Sequence, residues 1–535
     1  MTRMAIGRGS ASITALLAAL TSLAVSAQPR SAESIAAMLA EPMPYVPAVL
    51  GSFSHEISSD VPEAQDYFDQ GYQLMYAFAK YEAARSFREA RKLDPECAIC
   101  YWGEAWAWGS YLNFPMTEAE APFAYAAIGK ALELRDAATP REQAYIDALA
   151  VRYVADYDPG ARRAQDEAYA DATRALAEQY PDDLDAVTLH ADALFLLEPR
   201  RGYRDLDDPN VERIHAVLES VLARDIRHPG ACHLYIHATE STVSPGLAEP
   251  CSEYIGNSIP GASHINHMPS HTWNEIGRWG DSVRANIQAW HSDLKAATRQ
   301  GVAIYPPHNL HMLFFAASFD GQGAIAMRAG KDYTKLTADN TFELLTLVRF
   351  GRFEEILEVT ERAEADYAAG VWDFAHGYAR VKLGDADFAR AHLARLREIT
   401  ETTDAVVRFD QASLLLGVLG EILAGEIQWS QGNLRAAIAA FERAVEHEDE
   451  LGYDEPEPLP FAARHWLGAA LLAAGRDSDA ERAYREELED HPRNGWSLFG
   501  LREALAAQGE SDPAVDEGFE QSWARADVWI TASRF

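Results

Sequence analysis

After its first 27 residues the chain has no run of 18 consecutive apolar residues, so no membrane-spanning helix is expected. Basic residues are scarce, with 47 Lys and Arg against 82 Asp and Glu and a formal charge of -35. So acidic a surface repels nucleic acid and anionic lipid, and it favours cationic ligands or metal ions. Alternating β-branched runs are nearly missing, which argues against sheets. There is no Gly-rich phosphate loop, no G-x-S-x-G elbow and no H-E-x-x-H helix. Phosphate-loop nucleotide chemistry and serine-hydrolase chemistry are therefore not expected. Cysteine is rare too, at four residues.

What is present begins with an apparent leader. Arg3 and Arg8 form a basic start, residues 13 to 25 an apolar stretch, and Val25-Ser26-Ala27 a small-residue cleavage site, so residues 1–27 read as a secretory signal peptide. The mature chain is then expected in the periplasm or outside the cell. There the four cysteines can form two bridges, and proximity pairs Cys97 with Cys100 and Cys232 with Cys251. The second pair would tie adjacent antiparallel helices, whereas the first spans one helical turn. Cys97-x-x-Cys100 as a redox or metal motif is the alternative, though it lacks a strand context.

Residues 28–60, rich in Pro, Ser and Ala, read as an extended or partly helical lead-in. A 34-residue helical pattern follows. With Ala64 as position 1, Gly71 falls at position 8, Ala83 at 20, Phe87 at 24, Ala90 at 27 and Pro95 at 32, the spacing of a tetratricopeptide (TPR) repeat. Small residues at 8 and 20 let two helices approach, large ones fill the space between, and proline ends the second helix. Gly425, Ala437, Phe441 and Ala444 repeat positions 8, 20, 24 and 27, and Gly468, Ala480, Tyr484 and Pro492 repeat 8, 20, 24 and 32. Gly351, Gly384, Gly432 and Gly475 each read as the turn inside a helical hairpin. The expected fold is an all-α, TPR-type solenoid of antiparallel helix pairs, a superhelix of roughly 10 to 12 pairs by chain length over repeat period. Its expected divisions are helix pairs at 61–227, a His-rich centre at 228–330, and helix pairs with a cap at 331–535.

Several stretches resemble a family of exported bacterial TPR proteins: CAICYWGEAWAWG (97–109), YPDDLDAVTLHADAL (180–194), HPGACHLYIHATES (228–241), HINHMPSH (264–271), YPPHNLHMLF (305–314), YDEPEP (453–458) and HPRNGWSLFGL (491–501). The resemblance covers most of the mature chain, and HMPSH with PHN-x-H is its most specific part. It implies the helical-repeat architecture and no particular reaction. The four cysteines depart from the family pattern and read as a local stabilising addition.

Residues 228–311 hold nine of the 17 histidines. In HPGACHLYIHATE, Pro229 suits the first turn of a helix and His228 its boundary. His233 and His237 then lie four apart on one face with Glu240 three further on, a spacing that offers two imidazoles and a carboxylate to one ion. Around Pro269, His267 and His271 are again four apart. After Pro307, His308 and His311 are three apart. Successive helices lining a concave groove would bring two or three such pairs together. The expected metal ligands are therefore His233, His237, His267, His271, His308 and His311, with Zn²⁺ the default ion and Cu²⁺ or Fe²⁺ compatible with the same donors. The alternatives are an internal polar network without metal and, for His228 and His308, roles as caps. His264 and His291 read as surface or packing residues. Tyr101, Glu104 and Asn309 are expected in the groove, Glu240 and Glu455 are candidate general bases, and Trp102 and Trp106 read as core.

Three functions fit these residues. The first is a metal-bearing groove that binds a peptide, protein or small-molecule ligand. The second is a metal-dependent enzyme, a hydrolase or oxidoreductase, in which Glu240 or Glu455 works on a metal-bound water. The third is a metal-free scaffold.

Overall fold

The computed structural model describes residues 30–199 and 202–535; the expected leader at 1–27 lies outside them. The regular structure of the described residues is almost wholly α-helical, and its only ladder pairs Val406–Val407 with Asp410–Gln411. They form two compact units. The first comprises the residues up to 199 together with 204–269 and 288–306; the second comprises 202–203, 270–287 and 307–535. The His-rich stretch thus contributes to both.

Each unit is a set of antiparallel helix hairpins. In the first, Pro62–Tyr76 packs on Lys80–Leu93, Ala98–Trp108 on Ala121–Leu134, Arg162–Gln179 on Leu184–Phe195, and Pro209–Leu222 on Pro229–Thr239. The second pairs Asp366–Lys382 with Ala386–Thr402, Ala412–Ser430 with Leu434–Glu448, and Arg464–Ala473 with Asp477–Asp490. The hairpin turns use one device. Gly351, Gly384, Gly432 and Gly475 all have positive φ, between 64° and 87°. The residue after each donates its backbone N–H to the carbonyl five residues back, as in Asp385 to Arg380 at 2.7 Å and Arg476 to Leu471 at 2.9 Å. This left-handed cap satisfies the last carbonyls of the first helix, and glycine adopts it without a Cβ penalty.

Positions 8 and 24 meet as the repeat spacing requires. A Cβ on Gly71 would lie 2.8 Å from the Phe87 ring and one on Gly103, 32 residues on, 2.4 Å from the same ring; Gly468 and Gly500 clasp Tyr484 at 2.3 and 2.1 Å in the same way. One aromatic ring therefore seats against the bare backbone of two helices. Gly468→Leu should force Tyr484 out of this seat and cost about 1–3 kcal/mol or more. A urea midpoint unchanged from the parent would count against this packing.

By length and mean hydropathy alone, Ala412–Ser430 is long and apolar enough to cross a membrane. Most of it is buried within the second unit, and its Glu426 carboxylate meets Lys382 at 2.9 Å and Arg534 at 2.8 Å. A buried, ion-paired carboxylate suits a core helix of a folded unit better than lipid.

The lead-in starts with the helix Ala32–Ala40 and continues as a strap along Pro62–Tyr76. Gln70 Oε1 accepts from Val46 N, Gln73 Oε1 from Gly51 N, and Asp69 Oδ1 from His55 N, at 2.8, 2.8 and 2.9 Å. Cys97 is bridged to Cys100 and Cys232 to Cys251; the second bridge joins the packed helices Pro229–Thr239 and Glu249–Ile255.

Candidate metal centre

The helix Pro229–Thr239 begins as its sequence dictates, with Pro229 in the first turn and the His228 ring accepting the Ala231 N–H at 3.1 Å. Gly230 then lets the helix lie directly on Tyr76, since a Cβ there would be 2.4 Å from that ring. This approach brings His233 Nδ1 to 2.6 Å from the Tyr76 carbonyl oxygen. A carbonyl only accepts, so Nδ1 carries the proton and Nε2 keeps its lone pair. One turn on, His237 Nδ1 sits 2.7 Å from Glu240 Oε1, which fixes the second imidazole in the same tautomer. Metal-ligating histidines are held this way, with one nitrogen on a carbonyl or carboxylate and the other on the ion.

The third imidazole is His264, on the short helix Ser263–His267. Ser263 anchors that helix, donating N–H to the Val302 carbonyl at 3.1 Å and accepting the Ile304 N–H on its hydroxyl at 2.8 Å. His233, His237 and His264 are 1%, 3% and 1% exposed, and each presents a ligand atom within 4.8 Å of the others. The surface half of the reading of His264 is therefore corrected, since its ring is buried against Phe78, His233 and Tyr305, as a packing residue would be. His267 is fully buried one turn further on, its ring 5.1 Å from that of His264.

Two strained residues wall this centre. Phe78 has φ 61° and Tyr305 φ 55°. Phe78 lies against all three imidazoles, with ring centroids 4.1, 5.9 and 5.7 Å from His233, His237 and His264. Tyr305 stands edge-on to His264 at 5.1 Å. Phe78 occupies the position that glycine fills at Gly432 and Gly475, and it makes the same cap, with Ala79 N–H donating to the Leu74 carbonyl at 2.9 Å. A bulky residue in that conformation costs about 1–2 kcal/mol. Such strain persists where the surroundings over-determine it, and it clusters at functional sites.

Beside the centre is a small cavity lined by Met75, Phe78, Trp106, Leu189, Asp192 and His233, among others. Burial pushes the Asp192 carboxyl up to about 6, with Arg152 pulling the other way. On the far side of Tyr76, Asp185 gathers three donors. His55 Nδ1 lies 2.6 Å from Oδ2, while His228 Nε2 at 3.1 Å and the Tyr76 hydroxyl at 2.6 Å share Oδ1. Burial opposes the charge, but the hydrogen bonds from His228 and His55 hold this carboxyl far below the usual range. Neither Asp185, Asp192 nor His55 was singled out in the sequence.

In the second unit His271 Nδ1 lies 3.1 Å from Glu455 Oε2, and its ring is 5.6 Å from that of half-buried His308. Arg408 pins the YDEPEP loop there, with Nη2 donating to Asp454 Oδ1 at 2.6 Å and to the Glu455 carbonyl at 2.7 Å. Glu455 is thus buried against an imidazole, and Glu240 is likewise engaged by His237. His311 stands apart: no group of potential ligands among the described residues includes it. Its Nε2 is 3.1 Å from the Glu457 carbonyl oxygen and its ring packs on Phe342 and Phe314. Burial, then the charge of Arg408, hold it well below the ordinary histidine range, so it serves as a neutral packing residue. Asn309 is fully buried on the helix Pro306–Phe319. Glu104 pairs with Arg88 at 2.8 Å and with Arg91, and Tyr101 lies under Arg91, so the two form a structural ion cluster in the first unit. Trp102 and Trp106 are core, and His291 is exposed.

Comparison with protein-family models and with curated proteins finds no match for this chain. Among solved structures it is similar to yeast Tom70, with 12% identity over 86% of this chain and 100% of that one at a TM-score of 0.31. It is also similar to human IFIT1 solved with m7Gppp-AAAA, with 12% identity over 88% and 92% at 0.28. The Cut9 and Hcn1 hetero-tetramer gives 12% identity over 85% and 96% at 0.29. Scores at this level carry no argument about ligands; the all-α hairpin architecture rests on the chain's own turns and packing.

Proposed function

We propose that the chain is an exported helical-repeat binding protein that holds one transition-metal ion, zinc first, on His233, His237 and His264. The observation that carries this reading is three buried imidazoles within ligand distance, two of them with Nδ1 already engaged by a carbonyl and a carboxylate. Three protein ligands leave a fourth position of a tetrahedral ion for water or for a donor from a bound partner. A peptide, protein or small-molecule ligand is the partner this reading supports.

Elemental analysis of untagged protein tests it. About one equivalent of metal per chain is expected, and Glu240→Gln, which keeps a hydrogen-bond acceptor but removes the charge behind His237, should weaken affinity about 10- to 100-fold. Native protein free of transition metal would end the reading. A metal-dependent hydrolase is the second reading. It is favoured by Asp192, a buried carboxyl with a raised pKa that shares a cavity with His233 and could take a proton from a metal-bound water. X-ray absorption that finds only protein ligands on the ion would remove it.

A further inference from the structure

The lead-in strap carries a binding edge of its own, wholly inside the first unit. From Gly51 to Ile57 every second residue is tied to side chains of the helix Pro62–Tyr76. Gln73 accepts the Gly51 N–H at 2.8 Å and donates to the Phe53 carbonyl at 2.6 Å, and Asp69 accepts the His55 N–H at 2.9 Å. Gln65 donates to the His55 carbonyl at 2.9 Å and accepts the Ile57 N–H at 3.0 Å. Gln65, Asp69 and Gln73 are four residues apart, so one face of the helix stands in for a neighbouring strand. Burial follows the same period: His55 and Ile57 are buried, while Ser52, Ser54, Glu56 and Ser58 are exposed. Two residues is the period of an extended chain.

In such a chain the main-chain groups of successive residues point to opposite sides. Those of Ser52 and Ser54 therefore face away from the helix, and they make no hydrogen bond among the described residues. A cleft of about 780 Å³ lies against this edge, with Ser52, Phe53, Ser54, His228, Tyr254 and Asn257 in its lining. That size suits a small ligand or a short peptide segment. One end is closed at Gly51, where a Cβ would lie 1.7 Å from the Ser258 carbonyl oxygen.

The charged groups of the cleft already have partners. Asp185 holds His55, His228 and Tyr76, Arg227 meets Asp225 at 3.6 Å, and Glu253 is engaged as well. Charge is thus not what the cleft supplies. It supplies open main-chain groups at strand spacing above an aromatic floor, where the Phe53 and His228 rings are 5.7 Å apart. An open edge of this kind is a template for a second extended chain.

We propose that an extended peptide segment of a partner protein binds here by strand addition. Its main chain pairs with Ser52 and Ser54, and its alternate side chains enter the cleft toward Phe53, His228 and Tyr254. This seat is separate from the three-histidine centre and needs no metal.

An array of capped octapeptides screened against the whole chain supplies the probe, and the tightest binder is then titrated by fluorescence anisotropy. Ser54→Pro removes the outward N–H at an edge position where proline is tolerated, and it should weaken binding about tenfold or more. Ser54→Ala gives up the same exposed hydroxyl bond to Asp69, 2.7 Å long, and should bind as the parent does. The two variants should melt together. The pairing can also be broken from the ligand's side, so that a disturbed strap does not hide the result. N-methylation of one alternate set of peptide residues should abolish binding to the parent, and N-methylation of the other set should not. Chelation of metal should leave the affinity unchanged. No octapeptide binding below about 1 mM, full affinity in Ser54→Pro, equal loss in Ser54→Ala or loss on chelation would overturn the assignment. So would a parent dimer that Ser54→Pro dissociates, because the occupant would then be a second copy of this chain.

Discussion

His237→Ala protein, purified without a tag, is expected to carry less than about 0.2 equivalents of any transition metal, where the unsubstituted chain carries about one. The expectation follows from how the site is shared out. His233 and His237 are the two donors on one rigid helix, four residues apart, and His264 reaches them from a separate helix. Deleting His237 leaves a single donor on each element, and it also leaves Glu240 buried at 4% exposure without the imidazole it orients. Metal removal gives a second readout. An ion that binds only the folded state raises the unfolding temperature by mass action. Chelation should therefore lower the melting temperature of the parent and leave that of His237→Ala unmoved. Full metal content in the variant would mean that the ligands lie elsewhere among the histidines.

The repeat architecture was open to a reader of the sequence because it depends on local chemistry at fixed spacing. Glycine at position 15 of a hairpin makes a left-handed cap, and glycine at position 8 admits the ring at position 24; Gly475, Gly468 and Tyr484 do both. His233 and His237 were legible for the same reason, since four residues on a helix is a local relation. His264 was not. Its place is set by Ser263 hydrogen-bonding to Val302 and Ile304, about 40 residues away, and spacing says nothing about such a strap. One overlooked signal was available: the first hairpin, counted from Ala64, has Phe78 at position 15 where later turns have glycine. A residue that strains its backbone to fill a glycine position needs a reason, and here the reason is the wall of the imidazole centre. His55 was hidden for a different cause, because it lies in the lead-in and reaches Asp185 only after the strap has docked. His311 illustrates the opposite error. It has the spacing of a ligand, yet its ring packs into a cluster with Phe314 and Phe342 and its Nε2 lies against the Glu457 carbonyl.

Asp185→Ala should be the most destabilising single change in the first unit, at about 3–5 kcal/mol, a size typical of breaking a buried charged network by removing one partner. Three buried donors lose their acceptor at once: His55 Nδ1, His228 Nε2 and the Tyr76 hydroxyl. They come from the lead-in, from the boundary of the helix that carries His233, and from the helix whose carbonyl orients His233, so the loss should loosen the metal centre as well as the fold. The neighbouring Asp183 provides the comparison. Its side chain caps the same helix by accepting the Asp185 and Ala186 N–H groups at 3.1 and 3.3 Å, and Asp183→Ala should cost only about 1 kcal/mol. The dependence on pH has a definite sign. The Asp185 carboxyl is depressed in the folded chain, so its contribution is complete above the unfolded carboxylate value, about 4, and is lost as the pH falls below that toward the folded value. The stability gap between parent and Asp185→Ala, measured by urea denaturation, should therefore stay constant from about pH 5 to 8 and narrow below about pH 4. A gap that instead opened as the pH fell would show that Asp185 is protonated in the native chain and that the three donors are arranged around something other than its charge.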